Sequence, residues 1–277
     1  MGLATLDVRA AGGCGAEISG LDVTRASDAE IDLIRETVFQ KGVAFLHGQA
    51  MSPEQQIAFA ERIGPIVVNR YFPASERYPQ IAKVEKAETQ QTNIGGGWHT
   101  DHSYDLAPAM GSVLLAIKTP PTGGDTLFAD MYAAYDALSD GFKRMLGGLQ
   151  AQHAAEHVFG EAGAYGMTDR ADLAGFKDVP SAVHPVVITH PGSGKRALYV
   201  NPAFTVGIVG WSAEESRNLL AFLFEHAVKP QFVTRFQWRD GSMAIWDNRA
   251  TWHHAMNDYH GHYRLMHRIT LDGGPLN

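Results

Sequence analysis

FVTRFQWRDGSMAIWDNRATWHHAMNDYHGHYRLMHRITL, residues 232–271, decides the fold. Within it Phe232–Trp238, Ala244–Asp247 and Arg264–Leu271 each read as a short strand, and glycine-containing turns separate them. Upstream, His184–His190 and Ala197–Asn201 read the same way. A single helix, 213–226, interrupts this C-terminal series. Ser212 and Glu215 form its capping box, and Leu219, Leu220 and Leu223 face inward. Further out, Val43–Leu46, a strand near Ile81–Glu85, Val113–Lys118 and Thr126–Ala129 add more short strands.

The N-terminal third supplies helices. Ile31, Ile34 and Val38 recur at helical spacing over residues 28–40, and Gly42 stops the pattern. In SPEQQIAFAERIG, Ser52 is the N-cap, Pro53 takes the first helical position and Gln55 completes the box. Ile57, Ala60 and Ile63 make its buried stripe. Met131–Leu138 and Gly141–Leu146 are also expected to be helical. The pattern is mainly β with added helices, a β-sandwich or jelly roll. One domain, residues 1–277, is expected, with loop insertions near 65–97 and 160–182. The strand–helix alternation of a doubly wound sheet is missing. So are a G-x-G-x-x-G after a strand and a Walker A sequence, which removes support for nucleotide folds.

Composition narrows the class. Hydrophobic residues make up 45% of the 277 and charged residues 19%, enough apolar material for a sizeable core. The formal net charge of -7 argues against nucleic acid as a partner but leaves room for a basic pocket that takes a small anion. Cys14 is the only cysteine, which rules out an intramolecular disulfide and a thiolate zinc cluster. Met1–Ala11 lacks the apolar run of a leader, and no stretch approaches 18 apolar residues. A cytoplasmic chain with no membrane partner is expected.

The chemistry starts at Trp98-His-Thr-Asp101. On an extended segment residues i and i+2 point the same way, so His99 and Asp101 would present an imidazole and a carboxylate to one point. Alone, an H-x-D is common and carries little. A third ligand would come from His253 or His254, which follow the buried strand ending at Asp247. Two histidines and one carboxylate leave three positions of an iron open, the facial triad of non-heme oxygenases. The strand Arg264–Arg268 sets Arg264, Met266 and Arg268 on one face, the two arginines roughly 13 Å apart. Each buried guanidinium requires an anion: either a ligand's, or an internal Asp or Glu. His153 and His157, at i and i+4, would pair on a helix, but no third ligand accompanies them. His102, His260 and His262 are expected at the surface.

Five ordered motifs then resemble the taurine dioxygenase / 2,4-D dioxygenase family over nearly the whole chain. They are Trp98-His-Thr-Asp101, Gly123-Gly-Asp-Thr126, His190-Pro-Gly-Ser-Gly-Lys195 with Leu198-Tyr-Val-Asn201, Trp246-Asp-Asn-Arg-Ala-Thr251, and Arg264-Leu-Met-His-Arg268. The resemblance implies a double-stranded β-helix, with His99, Asp101 and His253 holding Fe(II) and His254 beside them. It implies that Arg264 and the Thr126 hydroxyl take the distal carboxylate of 2-oxoglutarate, and that Arg268 meets the anionic group of the primary substrate. It implies hydroxylation by O2, with release of succinate and CO2 and often cleavage of a neighbouring C–O or C–S bond. Family members are often dimers or tetramers, so a homo-oligomer is expected. The sulfonate-binding histidine of taurine-like members has no counterpart between His47 and His99. That speaks against taurine itself; the segments Val183–His190 and Leu219–Pro230 resemble the aryloxyalkanoate-cleaving branch, which favours an aryloxyalkanoate, with alkyl sulfates and other sulfonates open. Tyr71, Asn93, Phe159 and Phe204 are the candidates for lining the substrate pocket. A zinc-dependent hydrolase on the same ligands and a non-catalytic jelly-roll binding module are the competing functions.

Overall fold

The computed structural model describes residues 6–72 and 77–276, so the first five residues and part of the 65–97 loop lie outside the described residues. The chain is mostly β, with helices packed outside. Eight strands make one large sheet. Its order runs Asp7–Ala10, Ala16–Ser19, Val43–Leu46, Met243–Asp247, Gly111–Lys118 and Arg264–Leu271. Both Ala82–Lys86 and Ile66–Val67 then pair along the free side of Arg264–Leu271. All pairings are antiparallel except Ala16–Ser19 with Val43–Leu46. A three-stranded sheet, Val233–Phe236, Thr126–Asp130 and Thr251–Ala255, faces the large one. A second three-stranded sheet joins Thr205–Ile208, Gln150–Ala154 and Ser181–Pro185.

The two facing sheets close on a dry layer of Phe45, Leu114, Trp246 and Met266 from one side and Phe128, Phe236 and Trp238 from the other. Phe45 stacks on Phe236 with ring centroids 4.3 Å apart. The opposite face of the large sheet is covered by the helices Asp28–Lys41 and Pro53–Ile63 through Ile31, Ile34, Val38, Phe59 and Ile63. Ser27, Ser52 and Ser212 each cap a helix in a reciprocal box with the residue three positions on, so local sequence alone fixes where these helices begin.

Most expected elements are present, and the differences are specific. Ile57 is only half-buried; Phe59 takes its place in the stripe, and the buried Gln56 donates to the His267 carbonyl. The 65–97 region holds the short strand Ile66–Val67 as well as Ala82–Lys86. The 160–182 region contains only short 3-10 turns, Ala164–Met167 and Ala171–Leu173. His153 sits on a strand and His157 on the following short helix, so they do not form a pair one helical turn apart. His102 is buried rather than at the surface, because Asp105 and Asn69 hold both ring nitrogens. Among the described residues no helix is long and apolar enough to cross a membrane.

Candidate metal centre and cavity

Two backbone segments meet to build the centre. His99 and His253 face each other across an isolated antiparallel bridge, exchanging both backbone hydrogen bonds at 3.1 and 2.8 Å. Residues directly opposite in such a pair project their side chains to the same face, so one rung aims both imidazoles at one point. The rings lie 4.1 Å apart, centroid to centroid. Asp101, two positions beyond His99, brings its carboxylate between them: Oδ1 is 3.7 Å from His99 Nε2, and Oδ2 is 3.5 Å from His253 Nε2. Ligand atoms of the three residues all lie within 4.8 Å of one another. His254 points away and meets Trp98 edge-on. The choice left open between His253 and His254 is thus decided by strand register.

The protonation pattern suits ligation. His99 Nδ1 lies 2.7 Å from the Gly97 carbonyl, which can only accept, so Nδ1 carries a proton and Nε2 faces the cluster. Burial, then the neighbouring His99, pushes His253 well below its ordinary value and keeps it neutral. Burial alone would raise the Asp101 carboxyl, but the Arg268 guanidinium and the two imidazoles hold it well below the usual carboxylate range. Two imidazoles and one ionised carboxylate, with no fourth His, Cys, Asp or Glu in the cluster among the described residues, fit a divalent cation with an open side.

A cavity of about 480 Å³ opens beside this point, with Thr126, Arg264, Phe128 and Trp246 in its walls. Arg264 is buried, makes no salt bridge to a described residue, and leaves Nε without a hydrogen-bond partner among them. Its Cζ rests 5.9 Å from the centroids of both Trp238 and Tyr259. Thr126 Oγ1 accepts from Trp238 Nε1 at 2.9 Å, so its own proton is left for a ligand oxygen. Gly124, at φ +71°, lets the turn before Thr126 pass close by: a Cβ there would stand 3.3 Å from Tyr259 and 3.4 Å from Arg264 Nε. Asp125, next in line, is taken by Arg235 at 2.6 Å and does not neutralise Arg264.

A second cavity, of about 590 Å³, lies on the other side of His99 and Asp101. Phe72, Tyr104, Phe159, Tyr165 and Phe204 make its wall aromatic. Gly95, in the glycine triplet, admits the covering loop against His99; a Cβ at this φ +75° position would lie 3.1 Å from the His99 ring. Of the residues expected to line a substrate pocket, Phe159 and Phe204 line this cavity. Tyr71 stands behind them, stacked on Phe159 at 4.4 Å. Asn93 is turned away from both cavities and donates to the Ala255 carbonyl at 2.9 Å. Phe72, Tyr104 and Tyr165 were missed, since nothing in their local sequence separates them from core aromatics. Trp238 was also missed; it lies two residues past the end of the strand Val233–Phe236. The two arginines of the strand Arg264–Leu271 behave differently: Arg268 meets an internal acid, Asp101, at 2.7 Å, whereas Arg264 makes no salt bridge to a described residue.

The family described as "Taurine catabolism dioxygenase TauD, TfdA family" matches residues 7–270. The alpha-ketoglutarate-dependent 2,4-dichlorophenoxyacetate dioxygenase of Burkholderia sp. (strain RASC) is 36% identical over 247 residues, covering 82% of this chain and 80% of its own. The alkylsulfatase of Acinetobacter baylyi is 34% identical over 269 residues, covering 95% and 83%. The crystal structure of AAD-2 in complex with Mn(II) and N-oxalylglycine superposes with a TM-score of 0.80 at 29% identity, covering 98% of this chain and 99% of that one. With the whole core of the chain matched and 36% identity to a relative over four-fifths of its length, this protein belongs to the TauD/TfdA dioxygenase family.

Proposed function

We propose that this chain is an Fe(II)- and 2-oxoglutarate-dependent dioxygenase that oxidises a small organic anion of the aryloxyalkanoate, sulfonate or alkyl sulfate class. The observation that carries the reading is the pairing of an open two-histidine, one-carboxylate cluster with a buried guanidinium, Arg264, that has no internal acid. A hydrolase has no need of such a receptor, whereas a 2-oxo diacid needs both halves. When bound, iron with 2-oxoglutarate supplies activation of dioxygen and the decarboxylation that yields succinate and CO2.

His99, Asp101 and His253 hold the metal. Arg264 takes the distal carboxylate of the cosubstrate through a charge-assisted pair, and Thr126 donates its free hydroxyl proton to the same group. Val84, Leu114, Phe128 and Trp246 keep that cavity dry, which strengthens the ion pair. The primary substrate occupies the second cavity, its apolar body against Phe159 and Phe204 and its anion toward Arg268 Nη1. Tyr71 braces that wall from behind. Asn93 acts on the backbone of the His253 strand rather than on substrate.

The strand arrangement supports a double-stranded β-helix made by one domain, with the segments 65–97 and 160–182 as insertions around the cavities. A cytoplasmic homo-oligomer accompanies this reading. The test is oxygen uptake and succinate release with Fe(II), ascorbate and 2-oxoglutarate across a panel of aryloxyalkanoates, alkyl sulfates and sulfonates. Turnover supported only by Zn(II), without succinate, would reject it in favour of a hydrolase. Ligand binding that survives His99→Ala, with no oxygen consumed by the unaltered protein, would leave only a binding module.

A further inference from the structure

Arg268 stands where the two cavities meet and lines both. Its guanidinium lies between the rings of Phe72 and Trp246, Cζ 5.7 Å from each centroid. Nε donates to Ser112 Oγ at 3.0 Å, and Nη2 donates to Asp101 Oδ2 at 2.7 Å. The planar fork is therefore pinned on two sides, and it cannot turn without breaking a buried bond. Nη1 makes no hydrogen bond to a described residue. Asp101 Oδ1 faces His99 Nε2 at 3.7 Å and makes no bond to Arg268, whereas the Arg268-bound Oδ2 lies 3.5 Å from His253 Nε2.

The number of Asp101 oxygens that reach a metal decides how much of its sphere stays open. Carboxylates bind divalent cations through one oxygen or through both. In a six-coordinate site, two imidazoles and a two-oxygen carboxylate leave two positions. A 2-oxo acid chelate fills both, and nothing remains for dioxygen. Two imidazoles and a one-oxygen carboxylate leave three. The geometry points to Arg268 as the positioning residue that holds Asp101 to one-oxygen ligation by occupying its other oxygen. This rests on the metal-centre reading above and adds to it: the guanidinium guards the third vacancy, and only Nη1 is left for the substrate's anion. Loss of Arg268 then closes the position left for dioxygen and does not harm the primary substrate alone.

The test uses the full chain loaded with Mn(II). Water-proton relaxation counts exchangeable metal-bound waters, and calorimetry gives the affinities for Mn(II) and for 2-oxoglutarate. The unaltered protein is expected to bind one Mn(II) carrying three waters. In Arg268→Met the freed oxygen closes onto the metal: the count falls to two, Mn(II) binds at least as tightly, and saturating 2-oxoglutarate removes every exchangeable water, where the unaltered protein keeps one. Arg268→Lys, which still offers a charged donor to that oxygen, restores the third water. A merely structural role would lower thermal stability and metal affinity without changing the count. Three waters in Arg268→Met, with one remaining after 2-oxoglutarate is added, overturns the inference. Should that variant not fold, Ser112→Ala removes only the hydroxyl that accepts from Nε; a mean count below three supports the inference, and an unchanged count overturns it. An unaltered protein that takes up no Mn(II) refutes the metal centre itself, a different failure from a variant whose hydration does not change.

Discussion

Replacing Arg264 by methionine should make the ligand-free protein more stable and at the same time abolish tight binding of 2-oxoglutarate. The guanidinium is 5% exposed and meets no carboxylate among the described residues, only the Trp238 and Tyr259 rings and the cavity. Burial pulls it below its ordinary value, the sign of a charge held in an unfavourable place. Substituting apolar residues for buried ionic groups stabilises folded proteins by about 1–4 kcal/mol, and Arg264 lacks even the partner that would offset its desolvation. At roughly 2–4 °C per kcal/mol for a chain of this size, the melting temperature should rise by several degrees. Removing one partner of a buried charge pair costs about 3–5 kcal/mol, which at 1.4 kcal/mol per decade is between about two and four powers of ten in affinity. Thermal melts with Mn(II), with and without 2-oxoglutarate, read both effects together. The unaltered protein should gain stability on adding the diacid; the variant should start higher and gain almost nothing. A variant that melts lower without ligand and still responds to 2-oxoglutarate would show that Arg264 is held by the fold and not reserved for a ligand.

Four other outcomes follow from the same structure. Gly124→Ala should weaken 2-oxoglutarate binding with little loss of metal, since the new methyl would press on Tyr259 and Arg264 Nε at a backbone angle that alanine adopts poorly; calorimetry with each ligand separates the two. Burial alone would raise the Asp247 carboxyl, but Arg249 and His190 pull it down to about 2, so its contribution to stability is complete above the unfolded value near 3.9 and is lost as pH falls through about 2; urea midpoints measured down the acid limb should drop in that window, and much less so in Asp247→Asn. Asp247→Asn should itself cost several kcal/mol at pH 7, on the order of 3–5, because Arg249 is left buried with no counter-charge. Ser212→Ala should cost about 0.5–2 kcal/mol through the lost cap, with no change in metal affinity.

What could be read from the amino-acid order divides along the distance over which each interaction acts. Capping boxes at Ser52 and Ser212 involve residues three apart, and the structure has both. The His99–Asp101 pair is likewise local, two positions on one extended segment. The strand Thr251–Ala255 was not visible, because TWHHA is short and carries two histidines where an apolar alternation would be sought; its identity comes from pairing with Thr126–Asp130. The residues alone therefore left open whether His253 or His254 faced inward; the family resemblance pointed to His253, and the register brings His253 to the cluster. Arg264 and Arg268 share a face on any strand reading, but which of them met an acid depended on Asp101, 167 positions from Arg268. Asn93 was expected at substrate and instead holds Ala255, a contact between segments 162 positions apart. The aromatic wall of the second cavity gathers from five places in the chain, and no local pattern marks its members.

The rung that joins His99 to His253 also ties cation capture to correct folding. A slip of one position along the Thr251–Ala255 strand would present Trp252 or His254 in place of His253 and turn the imidazole to the opposite side. An ion that demands both rings and the carboxylate would then select, among near-native alignments, the single one that can satisfy it. Loading would act as an editor of β-strand alignment, so chains that refold in chelator should carry a misregistered fraction that metal added later corrects slowly.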